Sequence, residues 1–414
     1  MRILQANKFH YVKGGAERYY LDLSHRLAGR GHEVIPFAMA DARNEATPYS
    51  AYFVHGVDYR RRMAPWRGAR AAQRAIYSFE TIRKINALAR RARPEIAHLH
   101  NIYHQISPSL IIALDRLGIP MVQTLHDYKL ICPGYLLMAH GRACECCTEG
   151  KYWNAVTNRC LLDSRSASLV GWMEWRLHEW LRTHARIARF LCPSRFLLEK
   201  IASRGIPRDK LVHFPYFLPL DEYRPSFERS DYFVYVGRLS REKGIATLLA
   251  ALRERGASTM TCRILGEGPL EPELRQQAAA WGLRNVEFSG YLQGEALHRA
   301  IREAAFTVVP SEWYENLPFS VIESFALGTP VVGSRIGGIP EMVKDEQTGL
   351  TFPHGDASAL AQALAWMEEH PAEVIEMGRQ ARRFDEENYG PEPHLDRLEG
   401  LYRELMTGAT APLH

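Results

Sequence analysis

The chain contains no run approaching eighteen consecutive apolar residues, and the apolar stretch at its start is too short for a signal-peptide core. Neither a membrane-spanning nor a secreted protein is expected; a cytoplasmic one is. No segment is of low complexity, and hydrophobic residues at 46% with charged residues at 24% exclude a mainly disordered chain. There is no Asp-x-Asp triplet to chelate a metal-bound diphosphate, so no catalytic divalent metal is expected. The stretch "GEGPLE" lacks the third glycine of a dinucleotide fingerprint, and no correctly spaced ribose acid follows, which counts against an oxidoreductase. Cysteine is scarce outside one segment: five of the seven fall between 132 and 160, while Cys192 and Cys262 sit in apparent strands as small apolar residues.

What is present is rhythm. Short β-rich runs alternate with helical stretches, from "MRILQA", "AERYYLDLSHRLAGRG" and "HEVIPFAM" to "EIAHLH" and "IPMVQTLHD", as in a parallel sheet covered by helices. The alternation pauses across the cysteine-rich stretch of about 130–165. A polar, proline-bearing passage, "FLPLDEYRPSFERSD", then precedes a fresh start at "YFVYVGRL". A boundary near residue 222 follows, giving an α/β protein of two Rossmann-like, doubly wound domains, 1–221 and 222–414, around a central cleft. Open α/β sheets bind ligands beyond the carboxyl ends of their strands, so the ligand belongs between the domains. The last helical stretch could pack on either one.

The net charge of +5 is unevenly held, with 28 Lys and Arg against 15 Asp and Glu over residues 1–190. The first half therefore faces something anionic, although an ordinary solvated face explains the excess equally well. A zinc-containing nucleic-acid-binding protein is the reading from another class, but the basic residues lack the interleaved aromatics of a stacking surface, and no nucleic acid is expected. Much of the excess lies in "DYRRRMAPWRGARAAQR" and "RKINALARRARPE"; the Trp and Arg content of "LVGWMEWRLHEWLRTHARIARF" suits peripheral contact with an anionic membrane, while its periodic apolar positions read as core contacts.

The chemistry gathers in the second half. In "SEWYENLPFSVIES", Pro318 suits the first position of a helix and Gly328 its stop, so a helix is predicted from Pro318 to about Leu327. Glu315 stays before its first turn and Glu323 rides within it. Their separation is roughly 12 Å or less at 1.5 Å per residue, on the order of a sugar-diphosphate-ribose span. Carboxylates accept from hydroxyls, and free N–H groups at a helix start favour an anion. In "YFVYVGRLSREKG" a strand enters a turn at Gly237, and Arg238 and Lys243 straddle the next helix start, one forked cation and one point charge for a diphosphate. Each feature alone is weak; together they make a nucleotide-sugar site.

At this point the chain resembles the retaining glycosyltransferases of family 4, which have the two-Rossmann GT-B fold, bacterial surface-polysaccharide type. Glu315 and Glu323 match the Glu-x7-Glu motif, "VGRLSREKG" matches the diphosphate-binding turn, and "GGAE" at 14–17, "GHEV" at 31–34 and "GGIPE" at 337–341 extend the match. The resemblance implies that Arg238 and Lys243 hold the leaving nucleoside diphosphate, and that Glu323 accepts the ribose hydroxyls. It also implies that Glu315, Asn316 and the backbone of Leu317 to Phe319 meet the transferred sugar. Gly14 and Gly15 form a bare loop near the donor phosphates, with Glu17 as that motif's glutamate, and His126 meets the sugar near the reacting carbon. Base contacts are expected around Gly266 and Tyr291, for a UDP- or GDP-sugar. The implied activity is retaining transfer of a hexose-type sugar to a saccharide acceptor, lipid-diphosphate-linked, at the inner face of the cytoplasmic membrane. An enzyme making a soluble glycoside is the alternative.

The cysteines form C-x11-C-x2-C-x12-C at Cys132, Cys144, Cys147 and Cys160, a spacing that predicts a tetrahedral structural zinc, with Cys146 and His140 as substitute ligands. Free thiols and an iron–sulfur cluster are the alternatives. The run "HDYKLICP" is similar to stretches of the surface-polysaccharide members that carry such an insertion. Cys132 follows His126 by six residues, so this loop is expected over the first-domain side of the cleft, shaping the acceptor pocket.

Overall fold

The computed structural model describes residues 1–59, 64–148, 150–256 and 258–408. Residues 60–63, part of the basic stretch singled out at 58–74, lie outside the described residues. The strands, in chain order, are β1 (Arg2–Ala6), β2 (Glu33–Phe37), β3 (Ile96–Leu99), β4 (Met121–Thr124), β5 (Met138–Ala139), β6 (Arg142–Ala143), β7 (Arg189–Cys192), β8 (Leu211–His213), β9 (Tyr232–Val236), β10 (Thr261–Leu265), β11 (Val286–Gly290), β12 (Thr307–Val309), β13 (Val331–Ser334) and β14 (Gly349–Phe352). Two six-stranded parallel sheets result, ordered β2-β1-β3-β4-β7-β8 and β11-β10-β9-β12-β13-β14; β5 and β6 form a separate antiparallel hairpin.

Helices cover both faces of each sheet, so the central strands read as nearly unbroken apolar runs, as parallel sheets require. β12 (TVV) and β13 (VVGS) are buried throughout. Several helix starts are fixed by hydroxyl or carboxylate caps: Ser78, Ser194 and Asp356 accept from the backbone N–H three residues on. Cys192 and Cys262 are fully buried in β7 and β10, as small core residues.

The strand orders place the ligand. Chain order reverses between β1 and β3 in the first sheet and between β9 and β12 in the second, and such reversals open a crevice at the strands' carboxyl ends. The loops that flank these crevices are 7–14 and 100–108 in the first domain, and 237–244 and 310–318 in the second.

The terminal helix Pro391–Thr407 returns to the first domain, where Tyr402 OH lies 2.6 Å from His98 Nδ1 of β3 and Arg30 pairs with Glu392, Asp396 and Glu399. Among the described residues, no helix is long and apolar enough to cross a membrane.

Candidate active site

The second domain brings Lys243 to Glu315 and buries Glu323 in the helix that follows. Helix Phe319–Ala326 begins one residue later than the sequence suggested, because Pro318 is the extended cap (ψ 123°) rather than the first helical residue. Ile322, Phe325 and Ala326 are fully buried, and Glu323 is only 6% exposed. Burial raises the Glu323 carboxyl above its usual range, and nearby Arg18 partly offsets this. Glu315, 4% exposed, accepts from Lys243 Nζ at 2.6 Å and Ser311 Oγ at 2.7 Å. The turn after β9 thus supplies the cation for the carboxylate after β12, across the strand-order reversal.

Glycines permit this closeness. Gly244 (φ 68°) starts the helix after Lys243, where a Cβ would stand 1.8 Å from the Pro310 carbonyl oxygen. Gly337 (φ 60°) and Gly338 lie against the backbone of Glu315 and Asn316, and Gly338 N–H donates to the Glu315 carbonyl at 2.8 Å. Gly237 and Gly266 touch backbone to backbone. Arg238 is exposed, with no side-chain partner among the described residues. Tyr291 is 63% exposed, and Gly290 before it accepts the Gly266 N–H at 2.7 Å.

On the opposite wall, Gly15 opens helix Gly15–Gly29, and a Cβ there would meet the Phe319 ring at 2.6 Å. Phe319 stacks on Tyr216 (5.2 Å, 18°), which stacks on His126 (5.5 Å, 17°). His126 itself touches first-domain residues, and Tyr216 links it to the second domain. Both of its ring nitrogens are engaged, Nδ1 with Tyr216 OH at 2.7 Å and Nε2 with His100 Nδ1 at 3.0 Å. Its pKa is pushed down to about 3 by desolvation, with Lys8 adding repulsion, so the ring is neutral near pH 7. Glu17 is buried, and its carboxyl is raised by burial. Gly14 sits beside its Oε2, with a Cβ position 3.6 Å away.

Asn316 ties the walls together: its Nδ2 donates to the Leu125 carbonyl at 2.8 Å, and its Oδ1 accepts from Ser194 Oγ at 2.9 Å. Glu341 of "GGIPE" accepts the backbone N–H groups of Arg195 and Phe196, capping a first-domain helix from the second domain. Leu317 is simply core.

Sequence reasoning missed Arg18. This first-domain residue donates to Glu323 and, at 2.6 Å, to the Tyr223 hydroxyl, which in turn donates to Glu323 at 3.3 Å. A long cation one helical turn after a glycine loop is a usable signal, but its partner lies 305 positions away. Ser311, Ser194 and Tyr216 were missed likewise.

The zinc expectation is not supported. Among the described residues, no group of three or more His, Cys, Asp or Glu is arranged to hold a metal ion. All seven cysteines are free. The spacing does gather the thiols, and Cys160 is pushed up to about 12 by burial, with Cys132 and Cys144 adding to it. The sulfur contact, however, runs between Cys144 and the exposed Cys146, at 3.1 Å, rather than from Cys144 to Cys147. Gly134 stands between Cys132 and Cys160, with a Cβ position 2.9 Å from Cys160 Cβ. The C-x2-C clip that the spacing suggested is not closed.

Two doubly wound parallel sheets, with cations and carboxylates paired where the domains meet, make the architecture of a GT-B glycosyltransferase. The profile described as "Glycosyltransferase Family 4" matches residues 13–222, and the profile described as "Glycosyl transferases group 1" matches 221–384. The chain belongs to glycosyltransferase family 4. It is similar to the D-rhamnosyltransferase WbpZ of Pseudomonas aeruginosa, 34% identical over 186 residues, 42% of this chain and 48% of that protein. It is similar also to the amylovoran biosynthesis glycosyltransferase AmsK of Erwinia amylovora, 27% identical over 222 residues, 51% and 54% of the two chains. The chain spans about half the length of the curated relatives it matches. Among solved structures, HepE of Anabaena in complex with UDP and glucose superposes with a TM-score of 0.70 at 15% identity, covering 98% of this chain and all of that one. This shared fold is the GT-B fold.

Proposed function

We propose that the protein is a retaining glycosyltransferase that moves a hexose-type sugar from a UDP- or GDP-sugar to a saccharide acceptor in cell-surface polysaccharide synthesis. One observation carries the reading: the loops at the second sheet's strand-order reversal hold Lys243 against Glu315, with Arg238 exposed on the same turn as Lys243 and Glu323 buried in the adjoining helix. In this reading Arg238 and Lys243, with the N–H groups at the start of helix Phe319–Ala326, stabilise the negative charge that develops on the departing diphosphate. Glu323 accepts the ribose hydroxyls, and Glu315 and Asn316 orient the sugar. His126, neutral and braced by His100 and Tyr216, gives the sugar face a fixed wall. The departing phosphate helps take the proton from an acceptor hydroxyl entering on the same face. Neither glutamate serves as covalent nucleophile, because Glu323 is committed to the ribose and does not flank the anomeric carbon.

The name of AmsK supports a polysaccharide product, and the UDP and glucose bound in HepE support a nucleotide-sugar donor. For the acceptor, Trp66, Phe79, Trp153 and Trp180 are more than half exposed on or beside first-domain helices rich in arginine, which suits a lipid-linked acceptor at an anionic membrane. A soluble acceptor is the second reading.

A thermal-shift screen against UDP, GDP, ADP and their sugar conjugates tests the donor site, since a ligand selective for the native state raises the melting temperature. A shift with one nucleotide, lost in Arg238→Ala and Glu323→Ala, is expected; no shift with any of them refutes the reading. Proton NMR of the product then reports whether the anomeric configuration is retained. Co-sedimentation with phosphatidylglycerol vesicles, weakened in Trp66→Ala/Trp180→Ala, separates the lipid-linked acceptor from the soluble one.

A further inference from the structure

The cysteine-rich segment was expected over the first-domain side of the cleft, yet it reaches across. Its hairpin β5–β6 turns at His140 and Gly141, both in the left-handed region (φ 50° and 78°). A Cβ on Gly141 would fall 2.2 Å from Arg241 Nε, so the arginine side chain lies directly on the hairpin tip. Arg241 opens the short turn Arg241–Lys243, whose lysine bonds Glu315.

Two residues beyond the hairpin, Glu145 makes a second crossing. Its carboxylate accepts from Lys200 Nζ at 2.8 Å and Arg204 Nη2 at 3.0 Å, both in the first domain, and from Tyr314 OH at 2.8 Å in the second. The Tyr314 ring packs on Phe196 (5.1 Å between centroids), and Lys200 Nζ lies 5.1 Å over its face. Tyr314 immediately precedes Glu315. The segment therefore touches both loops that present the diphosphate cations and the sugar carboxylate, and touches them through residues with no place in the donor chemistry itself.

We propose that the cysteine-rich segment is a positioning strap for the donor site, in which Glu145 sets the Tyr314–Glu315 loop and the Gly141 tip seats Arg241 and the turn that carries Lys243. This rests on the reading of those two loops as the donor site. Glu145 is anchored by two first-domain cations, so it holds Tyr314 at a fixed point relative to the first domain. Two unconnected contacts from one segment to two donor loops make it a coupling element: the loops take their binding geometry together when the domains are closed.

The test is calorimetric titration of UDP-glucose, and in parallel GDP-mannose, into the full chain and into Tyr314→Phe, Glu145→Gln, Glu145→Ala and the double variant Tyr314→Phe/Glu145→Gln, with melting temperatures recorded without nucleotide. Tyr314→Phe removes one oxygen from a half-buried ring, so folding is preserved. It is expected to weaken the bound nucleotide about threefold, the lower range of one hydrogen bond. Glu145→Ala is expected to match it, and Glu145→Gln, which keeps an acceptor oxygen, to recover part of the loss. The double variant should be no weaker than Tyr314→Phe alone, the non-additivity of two ends of one contact. Unchanged nucleotide affinity in Tyr314→Phe and Glu145→Ala, with or without a lowered melting temperature, overturns the strap while leaving the donor site standing if Arg238→Ala abolishes binding. Parent-like nucleotide binding in Arg238→Ala and Glu323→Ala overturns the donor reading, and the strap with it.

Discussion

Glu323→Gln probes the proposed donor site with the least disturbance, because the amide keeps the side chain's shape and its acceptor oxygen. Arg18 and Tyr223 OH both donate to this carboxylate, and the Arg18 side chain is 26% exposed against 7% for Glu323. Breaking a buried pair costs about 3–5 kcal/mol when a charge is stranded, but Arg18 reaches water, so a loss of about 1 kcal/mol is expected here. For a chain of this size that is about 2 °C in melting temperature. The nucleotide loses more. Hydrogen bonds from ribose hydroxyls to a carboxylate are worth about 1.5–3 kcal/mol and to a neutral amide about 0.5–1.5, so a difference near 1.4 raises Kd about tenfold. Calorimetry with UDP and GDP measures this, and 2′,3′-dideoxy analogues isolate the contact. The parent chain should bind the analogue weakly, and Glu323→Gln should lose nothing further against it. Equal losses for ribose and dideoxyribose ligands, or an unchanged Kd, refute the assignment. The pH dependence has two opposite parts. Burial raises the folded-state pKa of Glu323, so its contribution to stability is fully present below the unfolded value and is lost as pH rises through the folded value. Nucleotide affinity needs the ionised form and so falls as pH drops through that same raised value, earlier than for an ordinary carboxyl.

Lys243→Met removes a diphosphate cation and the partner of Glu315, and kcat/KM measured on the identified donor should fall on the order of 10²-fold; a lowered melting temperature with unchanged kcat/KM would reduce Lys243 to a structural ion. In Gly15→Ala the new Cβ meets the Phe319 ring, with strain of about 1–3 kcal/mol that opening the cleft relieves; small-angle scattering should show a larger ligand-free radius of gyration, and an unchanged one refutes the clash. His98, His100 and His126 are held neutral by desolvation, so their folded pKa values lie below the unfolded value near 6.5. The unfolded chain then binds more protons, and stability falls with pH below about 6.5 by about 1.4 kcal/mol per pH unit for each histidine. Urea unfolding at pH 7 and pH 5.5 checks this, and equal midpoints refute it.

The sheets were legible because parallel strands buried on both faces must be apolar: β9 (YFVYV) is made only of Val, Phe and Tyr, and β12 and β13 each carry a Val-Val pair. The meeting of Lys243 with Glu315 was within reach of the sequence because both lie in the loops that follow β9 and β12, on either side of the strand-order reversal. What the sequence could not carry is partnership across long separations. Asn316 with Leu125 and Ser194, Glu341 with the helix start at Arg195, and Arg18 with Glu323 are all contacts between domains. No local spacing encodes them. The cysteines failed for a related reason: C-x2-C spacing states how far apart two sulfurs can be, not which way they turn, and here Cys146 rather than Cys147 meets Cys144.

Both glutamates of the proposed donor site are satisfied by the chain's own side chains, Glu315 by Lys243 and Ser311, Glu323 by Arg18 and Tyr223. A buried carboxylate without such partners would be costly, so the closed cleft needs these cations as placeholders. A nucleotide sugar brings the complement of both: hydroxyls for the carboxylates and a diphosphate for the cations. Binding then becomes an exchange of partners in which few buried charges are left unpaired, and Arg18 and Lys243 are released toward the phosphates at the point where they lose their glutamates. A double variant that neutralises both members of one pair, Arg18→Met/Glu323→Gln, separates the two roles. If Arg18 acts only as a placeholder, the double variant should match Glu323→Gln in nucleotide affinity. If the freed Arg18 moves to the diphosphate, the double variant should bind more weakly by a further factor of about ten, one charge-assisted hydrogen bond. The exchange argument predicts the second result, and the first would refute it.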